Sequence, residues 1–220
     1  MKFPFVPVLF VILVTALLAA GCTSGQLPPS IPPAAGTSAA EPPAVTPAPS
    51  APGTGIITGD DALMQLVLEK TDFSPPALAV EGGVMDRKTM SQGWQTVPGF
   101  QKCYMGTFYL DANGTELIQS VNLIDTPANA AKDRDLIDSM LRDSTGKSGT
   151  TVAATDVPVG EHGSLYRSSA GQREYSTLIF VRGNVLEMIN LQSLSVMNES
   201  VALVSAIRAD RKILAYLARG

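Results

Sequence analysis

Nine of the sixteen prolines of this chain fall between Thr23 and Gly55, interleaved with Ala, Ser, Thr and Gly and with a single charge at Glu41. A segment with so many missing amide donors and so little apolar surface cannot build a core. It reads as a disordered linker that favours extended, semi-rigid conformations at about 3.1 Å per residue, a stalk for whatever follows. A docking site for a proline-recognising module is the rival reading, but the prolines are irregularly spaced and lack flanking basic residues. Folding is thereby confined to residues 56–220, about 165 in all, enough to bury a core without disulfides or metals.

Before the linker, Lys2 is the sole charge ahead of Cys22, and Phe3 to Gly21 is made almost wholly of Val, Leu, Ile, Phe and Ala. That is a positive n-region followed by an apolar h-region. The run closes on Leu17, Leu18, Ala19, Ala20 and Gly21 before the cysteine, and this LLAAGC stretch resembles the lipobox of the prokaryotic lipoprotein signal family. The family favours Leu three places before the cysteine, whereas this chain has Ala19 there and Leu18 one place further back. The resemblance covers only residues 1–22. It implies cleavage after Gly21 and a diacylglyceryl group on the Cys22 sulfur, with palmitate-like chains as a lasting membrane tether, because two acyl chains hold where one does not.

The alternative is an uncleaved transmembrane helix, since nineteen apolar residues about span a bilayer core of roughly 30 Å. Either way residues 23–220 are expected outside the cytoplasm, and on the lipoprotein reading the organisation is a signal peptide at 1–21, the lipidated Cys22 with its linker at 22–55, and one globular domain at 56–220. Removing residues 1–21 takes one Lys away, so the net charge moves from −4 to −5. Nucleic acid is an unsuitable partner for a chain whose Lys and Arg are scattered, the Arg208, Arg211, Lys212 neighbourhood excepted. With Cys22 committed to lipid, Cys103 is the sole remaining cysteine and no intrachain disulfide can form.

Within the domain, Asp60 and Asp61 open an amphipathic stretch that closes at Lys70, which predicts a helix in the sense the helix dipole favours. Residues 77–99, with Gly82, Gly83, Gly93 and Pro98, read as irregular. Phe100–Leu110 and Glu116–Ile124 read as strands of a hairpin turned at Asn113 and Gly114. Pro127 introduces a helix over 128–142 with Ala130, Ile137, Met140 and Leu141 buried, and Asp133, Asp135 and Asp138 mostly elsewhere. Strands are expected at 162–168, 174–182 and 185–192, the last two turned by Gly183 and Asn184, then a helix over 197–217 covered along Val201, Val204, Ile207, Leu214 and Leu217. The fold class is α+β, an antiparallel sheet of hairpins with helices packed on one face. This order of elements loosely resembles the α+β sandwiches of the PsbP-like group, which includes extracytoplasmic lipoproteins. No residue motif accompanies it, so no functional residue is carried over.

Chemistry is harder to find. His162 is the only histidine, beside Gly160 and Gly163, and no G-x-S-x-G elbow flanks any serine; a solvated turn histidine is expected. Asp133, Asp135, Asp138 and Asp143 lie on a predicted helix, not in a calcium loop, and read as a solvated face. Cys103 sits in a strand pattern and packs as a small hydrophobe, or links two chains by oxidation if exposed. Trp94, Phe100, Tyr104, Phe108 and Tyr109 are core or the lining of a groove, and the ligand-facing candidates are Trp94, Tyr104 and His162. Asn113 and Asn198 begin N-x-T and N-x-S triplets and are candidate glycosylation sites.

No acid, base and nucleophile set emerges, and no cofactor or metal is expected. The reading is a non-catalytic, lipid-anchored extracytoplasmic protein at the cell membrane whose domain binds an envelope protein or a small ligand. Two alternatives stand beside it. One is a sensory or accessory subunit of a membrane complex, which calls for an exposed apolar patch of more than a few hundred Å². The other is a hydrolase using Glu161, Glu174 or Glu187, which calls for a pocket carboxylate with a strongly raised pKa.

Overall fold

The computed structural model describes residues 55–88, 97–143, 153–170, 172–194 and 198–219. The signal segment, Cys22, all of the linker but Gly55, and Trp94 lie outside the described residues. In chain order the elements are α1 Asp60–Leu66, a 3-10 turn Lys70–Asp72, β1 Ala79–Asp86, β2 Phe100–Tyr109, β3 Glu116–Ile124, α2 Pro127–Asp143, β4 Ala153–Val157, β5 Glu161–Ala170, β6 Arg173–Arg182, β7 Val185–Ser193 and α3 Glu199–Leu217. The seven strands form one sheet in the order β1-β2-β3-β7-β6-β5-β4, every neighbouring pair antiparallel. The α+β class with hairpin-connected strands is therefore as expected. Among the described residues no helix is long and apolar enough to cross a membrane.

The helices do not share one face. Successive strand residues point to opposite sides of a sheet, and in β6 Leu178 and Phe180 join a core with α1 and α3, whereas Ile179 and Val181 join clusters with α2. The first core holds Leu63 and Leu66 of α1, Ala202, Ala206, Ala209 and Ile213 of α3, and Leu117, Val121, Ile189 and Leu191 beneath them. On the other side Ala130, Ile137 and Leu141 of α2 cover Cys103, Ile124, Leu186, Ile179 and Met188. This corrects the one-face expectation. The central strands are buried on both sides, which is why β6 is closed to solvent from Tyr175 to Arg182.

Local differences have local causes. The first helix stops at Leu66 because Val67 turns extended, which lets Leu66, Val67 and Leu68 all be buried, with the Leu68 amide donating to the Gln119 side chain at 2.9 Å. The stretch read as irregular contains β1. Gly82 of β1 and its partner Gly106 of β2 make room for the Tyr104 ring: a Cβ at either would stand 2.7 or 2.6 Å from hydroxyl or ring atoms of Tyr104. The edge strand β4 was hidden in a polar stretch with only five residues to show.

Helix α3 is rotated from the expected stripe. Small residues Ala202, Ser205, Ala206 and Ala209 face the sheet and allow close approach, Val201 and Ile207 flank them, and Val204 is exposed. Asp210 joins that buried stripe because Arg182 of β6 meets it with two hydrogen bonds, Nε to Oδ1 at 2.8 Å and Nη2 to Oδ2 at 2.9 Å. The chain enters the domain at the β6–β7 turn. Gly183 has φ 57° there, and the buried Asn184 side chain accepts from the Ile57 amide at 2.8 Å and donates to the Ile57 and Ile124 carbonyls at 2.8 and 2.7 Å.

Candidate functional site

The two faces of the sheet end differently. Pairing registers align side chains into rows across the strands, and on the α2 face the row nearest the β2–β3 hairpin tip runs Tyr109, Glu116, Gln192, Tyr175, Ser168. The next runs Glu81, Thr107, Ile118, Asn190, Thr177, Tyr166. Helix α2 covers the rows beyond these, where Cys103, Leu186, Val181, Met188 and Ile179 are apolar. It reaches the second row only at Tyr166, whose hydroxyl donates to Asp138 while Arg142 lies 5.8 Å from the ring centroid.

What remains is a shelf over β1, β2, β3 and β7. Glu81 is exposed, and Thr107, Tyr109, Glu116, Ile118, Asn190 and Gln192 are half-buried. Its side chains are held by one another. Asn190 Nδ2 donates to Thr177 Oγ1 at 2.8 Å, Gln192 Nε2 donates to Glu116 Oε2, and the Tyr109 hydroxyl donates to Glu81 Oε2 at 3.4 Å. The Glu81 carboxylate, and less strongly that of Glu116, push the Tyr109 phenol above its ordinary pKa, because a phenolate beside them would add like charge. Deeper in the same row Tyr175 is buried, and its hydroxyl has no hydrogen-bond partner.

The residues singled out in the sequence do not meet here. Tyr104 is a correction: it is buried on the opposite face, in the core under α3, where it is 5% exposed and burial raises its pKa. His162 is exposed at the start of β5 with φ 55°, at the far end of the strands beside the β6–β7 turn. Trp94 lies outside the described residues. Asn113 is exposed in the β2–β3 turn, and the exposed Asn198 caps α3, its Oδ1 accepting from the Ser200 amide at 3.2 Å. Of the aromatic neighbourhood, Tyr109 alone among the described residues reaches the shelf. A signal was present in the sequence of β7, where Asn190 and Gln192 alternate with Ile189 and Leu191, whereas β3 blurs it with the apolar Ile118 beside the polar Gln119.

The carboxylates separate clearly. Glu161 and Glu174 are exposed. Glu187 is fully buried, and desolvation raises its pKa well above the ordinary value although Gln119 Nε2 donates to its Oε1 at 2.7 Å. Asp133, expected on a solvated face, is instead 3% exposed on the α2 stripe, and desolvation, with the Asp125 charge second, pushes its pKa up to about 6. Its Oδ2 has no partner. Neither group lines the cavity of about 290 Å³ beside the N-terminus of α3, where Arg167 is ion-paired with Glu199. Cys103 is buried and its thiol is pushed up to about 12 by desolvation. Among the described residues no group of three or more His, Cys, Asp and Glu side chains is arranged to hold a metal ion.

Known proteins share this architecture. The fold is similar to the crystal structure of the extracellular domain of PknH from Mycobacterium tuberculosis, with a TM-score of 0.53 and 12% identity, over 71% of this chain and 97% of that one. At that identity the likeness is one of fold. No protein-family model matches the sequence, and no curated protein matches it.

Proposed function

We propose that this chain is a lipid-anchored extracytoplasmic protein whose domain binds rather than catalyses, with the polar shelf on the α2 face as its binding surface. The observation that carries the reading is the division of that face. Where α2 lies the sheet is apolar but for the enclosed Ser120, Asn122 and Ser164, and beyond it the half-buried side chains over β1, β2, β3 and β7 are mostly hydroxyl, amide and carboxylate groups held by mutual hydrogen bonds.

Three further points support it. The LLAAGC stretch places a lipid-acceptor cysteine ahead of a proline-rich stalk. The structural neighbour is itself described as an extracellular domain. A nucleophile would want an activating base, yet Cys103 is sealed under α2 with its thiol pushed up to about 12, and the lone histidine stands exposed at the far end of the strands. Glu187, the one hydrolase candidate with a strongly raised pKa, is fully buried and does not line the cavity beside α3.

The test is metabolic labelling with palmitate in the native host, comparing the natural chain with Cys22→Ser. Loss of label and release of the variant from the membrane fraction is the expected result. A natural chain that takes up no label, with both forms held in the membrane fraction, would leave a transmembrane anchor and remove the lipoprotein reading. The second reading, a sensory subunit, draws on the neighbour being the extracellular part of a kinase, and it requires a membrane protein that crosslinks to the domain in intact cells.

A further inference from the structure

Resting on that reading, we propose that the shelf binds neutral polysaccharide on the side of the domain remote from the tether. Position is the first argument. The linker joins the domain at Ile57, clasped by Asn184 at the β6–β7 turn. The first shelf row crosses β6 at Tyr175, seven residues from Arg182 at the turn, about 23 Å away at the rise of a β-strand. The thirty-three residues from Thr23 to Gly55 reach roughly 100 Å if extended as polyproline. A lipid headgroup would meet the tether end of the domain first; the shelf is open to what lies beyond the membrane.

Chemistry is the second. Neither shelf row contains Lys or Arg, and Glu81 and Glu116 repel phosphate, sulfate and carboxylate groups. The Tyr109 ring and Ile118 are diagonal neighbours on β2 and β3 and supply apolar surface, with the Thr107 hydroxyl and the Glu116 carboxylate at the other two corners and the Asn190 and Gln192 amides beside them on β7. A sugar ring has that alternation, a C–H face rimmed by hydroxyl groups, and neither a lipid tail nor a polyanion has it. Each amide spends one N–H on its shelf neighbour and keeps a carbonyl oxygen and a second N–H for a ligand. Because those neighbours already orient the side chains, little ordering is left to oppose binding. From β1 to β7 the shelf spans three inter-strand spacings, about 14 Å, which suits an oligosaccharide more than a single ring.

The experiment is calorimetric titration of the full chain, purified in a detergent without a sugar headgroup. The probes are chitohexaose, maltohexaose and cellohexaose, with a heparin fragment and phosphatidylglycerol vesicles as contrasts. The expected result is binding of at least one neutral hexasaccharide, indifferent to salt, and weakened about ten-fold or more both in Tyr109→Ala and in the double variant Asn190→Ala, Gln192→Ala. Thermal melts of the variants verify that the fold is kept, and Thr107→Ser serves as a milder substitution if either fails to fold. Binding of none of the hexasaccharides overturns the proposal. If heparin or vesicles bind instead in a Tyr109-dependent way, the shelf remains the binding surface and polysaccharide is wrong. Binding of probes that ignores every shelf substitution removes the shelf as a site altogether.

Discussion

The two faces of the sheet bury polar groups for opposite ends. Under α3 they are closed off from solvent and mostly matched: Arg182 meets Asp210 with paired hydrogen bonds, and Gln119 joins the Leu68 amide to Glu187, whose Oε2 has no partner. Under and beside α2 some are matched, Asn122 with Ser120 and the Leu186 carbonyl, while Asp133 Oδ2 and the Tyr175 hydroxyl are buried without partners and further ordered side chains stand half-buried beyond the helix. A matched buried pair holds a structure together, whereas unmatched or exposed polar groups cost stability or leave it unchanged. The α3 face thus keeps its polar groups enclosed, and the α2 face carries ordered ones out to where a ligand can reach them.

The sharpest way to break this contrast is on the α3 face. Replacing Asp210 with Ala leaves the Arg182 guanidinium buried without its partner, and should destabilise the domain by about 3–5 kcal/mol in urea or guanidinium unfolding. A loss below about 1 kcal/mol would mean that solvent reaches the pair and that this face is not closed.

A smaller effect of the opposite sign belongs to Asp133. Its folded-state pKa of about 6 lies above the ordinary value of 3.8, so between the two the folded chain holds a proton that the unfolded chain releases. Stability from this group is complete below about pH 4 and is lost as the pH rises through about 6. The loss is about 2–3 kcal/mol at neutral pH, since each pKa unit corresponds to roughly 1.4 kcal/mol. Asp133→Asn should therefore raise the melting temperature at pH 7.5 and change it little at pH 4. Equal shifts at both values would place the benefit in packing, not in charge.

The smallest effect is expected on the shelf. Thr107→Ala or Gln192→Ala should alter stability by no more than about 0.5–1 kcal/mol, because both sites are half-buried and Glu116, the partner of Gln192, can turn to water. A loss several times larger in thermal melts would make the shelf part of the structural frame and remove its contrast with the α3 face.

Much of the fold was legible because its signals are local. The strand Glu116–Ile124 matches its expected limits residue for residue, and the Asn113–Gly114 and Gly183–Asn184 turns stand where positive-φ chemistry placed them, with Gly114 at φ 85° and Gly183 at φ 57°. The site was much less legible. Tyr109 was noticed for its aromatic neighbours, yet Glu116, Gln192 and Asn190 lie in three registers that only the pairing of β2 with β3 and of β3 with β7 brings into rows. Asp133 read as part of a solvated face and Asp210 drew no reading, since nothing in the sequence near them reveals a facing sheet or an Arg182 across it.

By itself, then, the sequence determined the main turns and most of the strands and helices, because turn residues and period are properties of neighbours along the chain. Only the tertiary structure decided that the helices split between two faces, that Gly82 and Gly106 make room for Tyr104, and that among the described residues α2 stops short of the half-buried polar side chains over β2, β3 and β7. Those outcomes depend on which strands pair across long stretches of chain, and a strand's alternation says that it has two faces without saying what will cover either one.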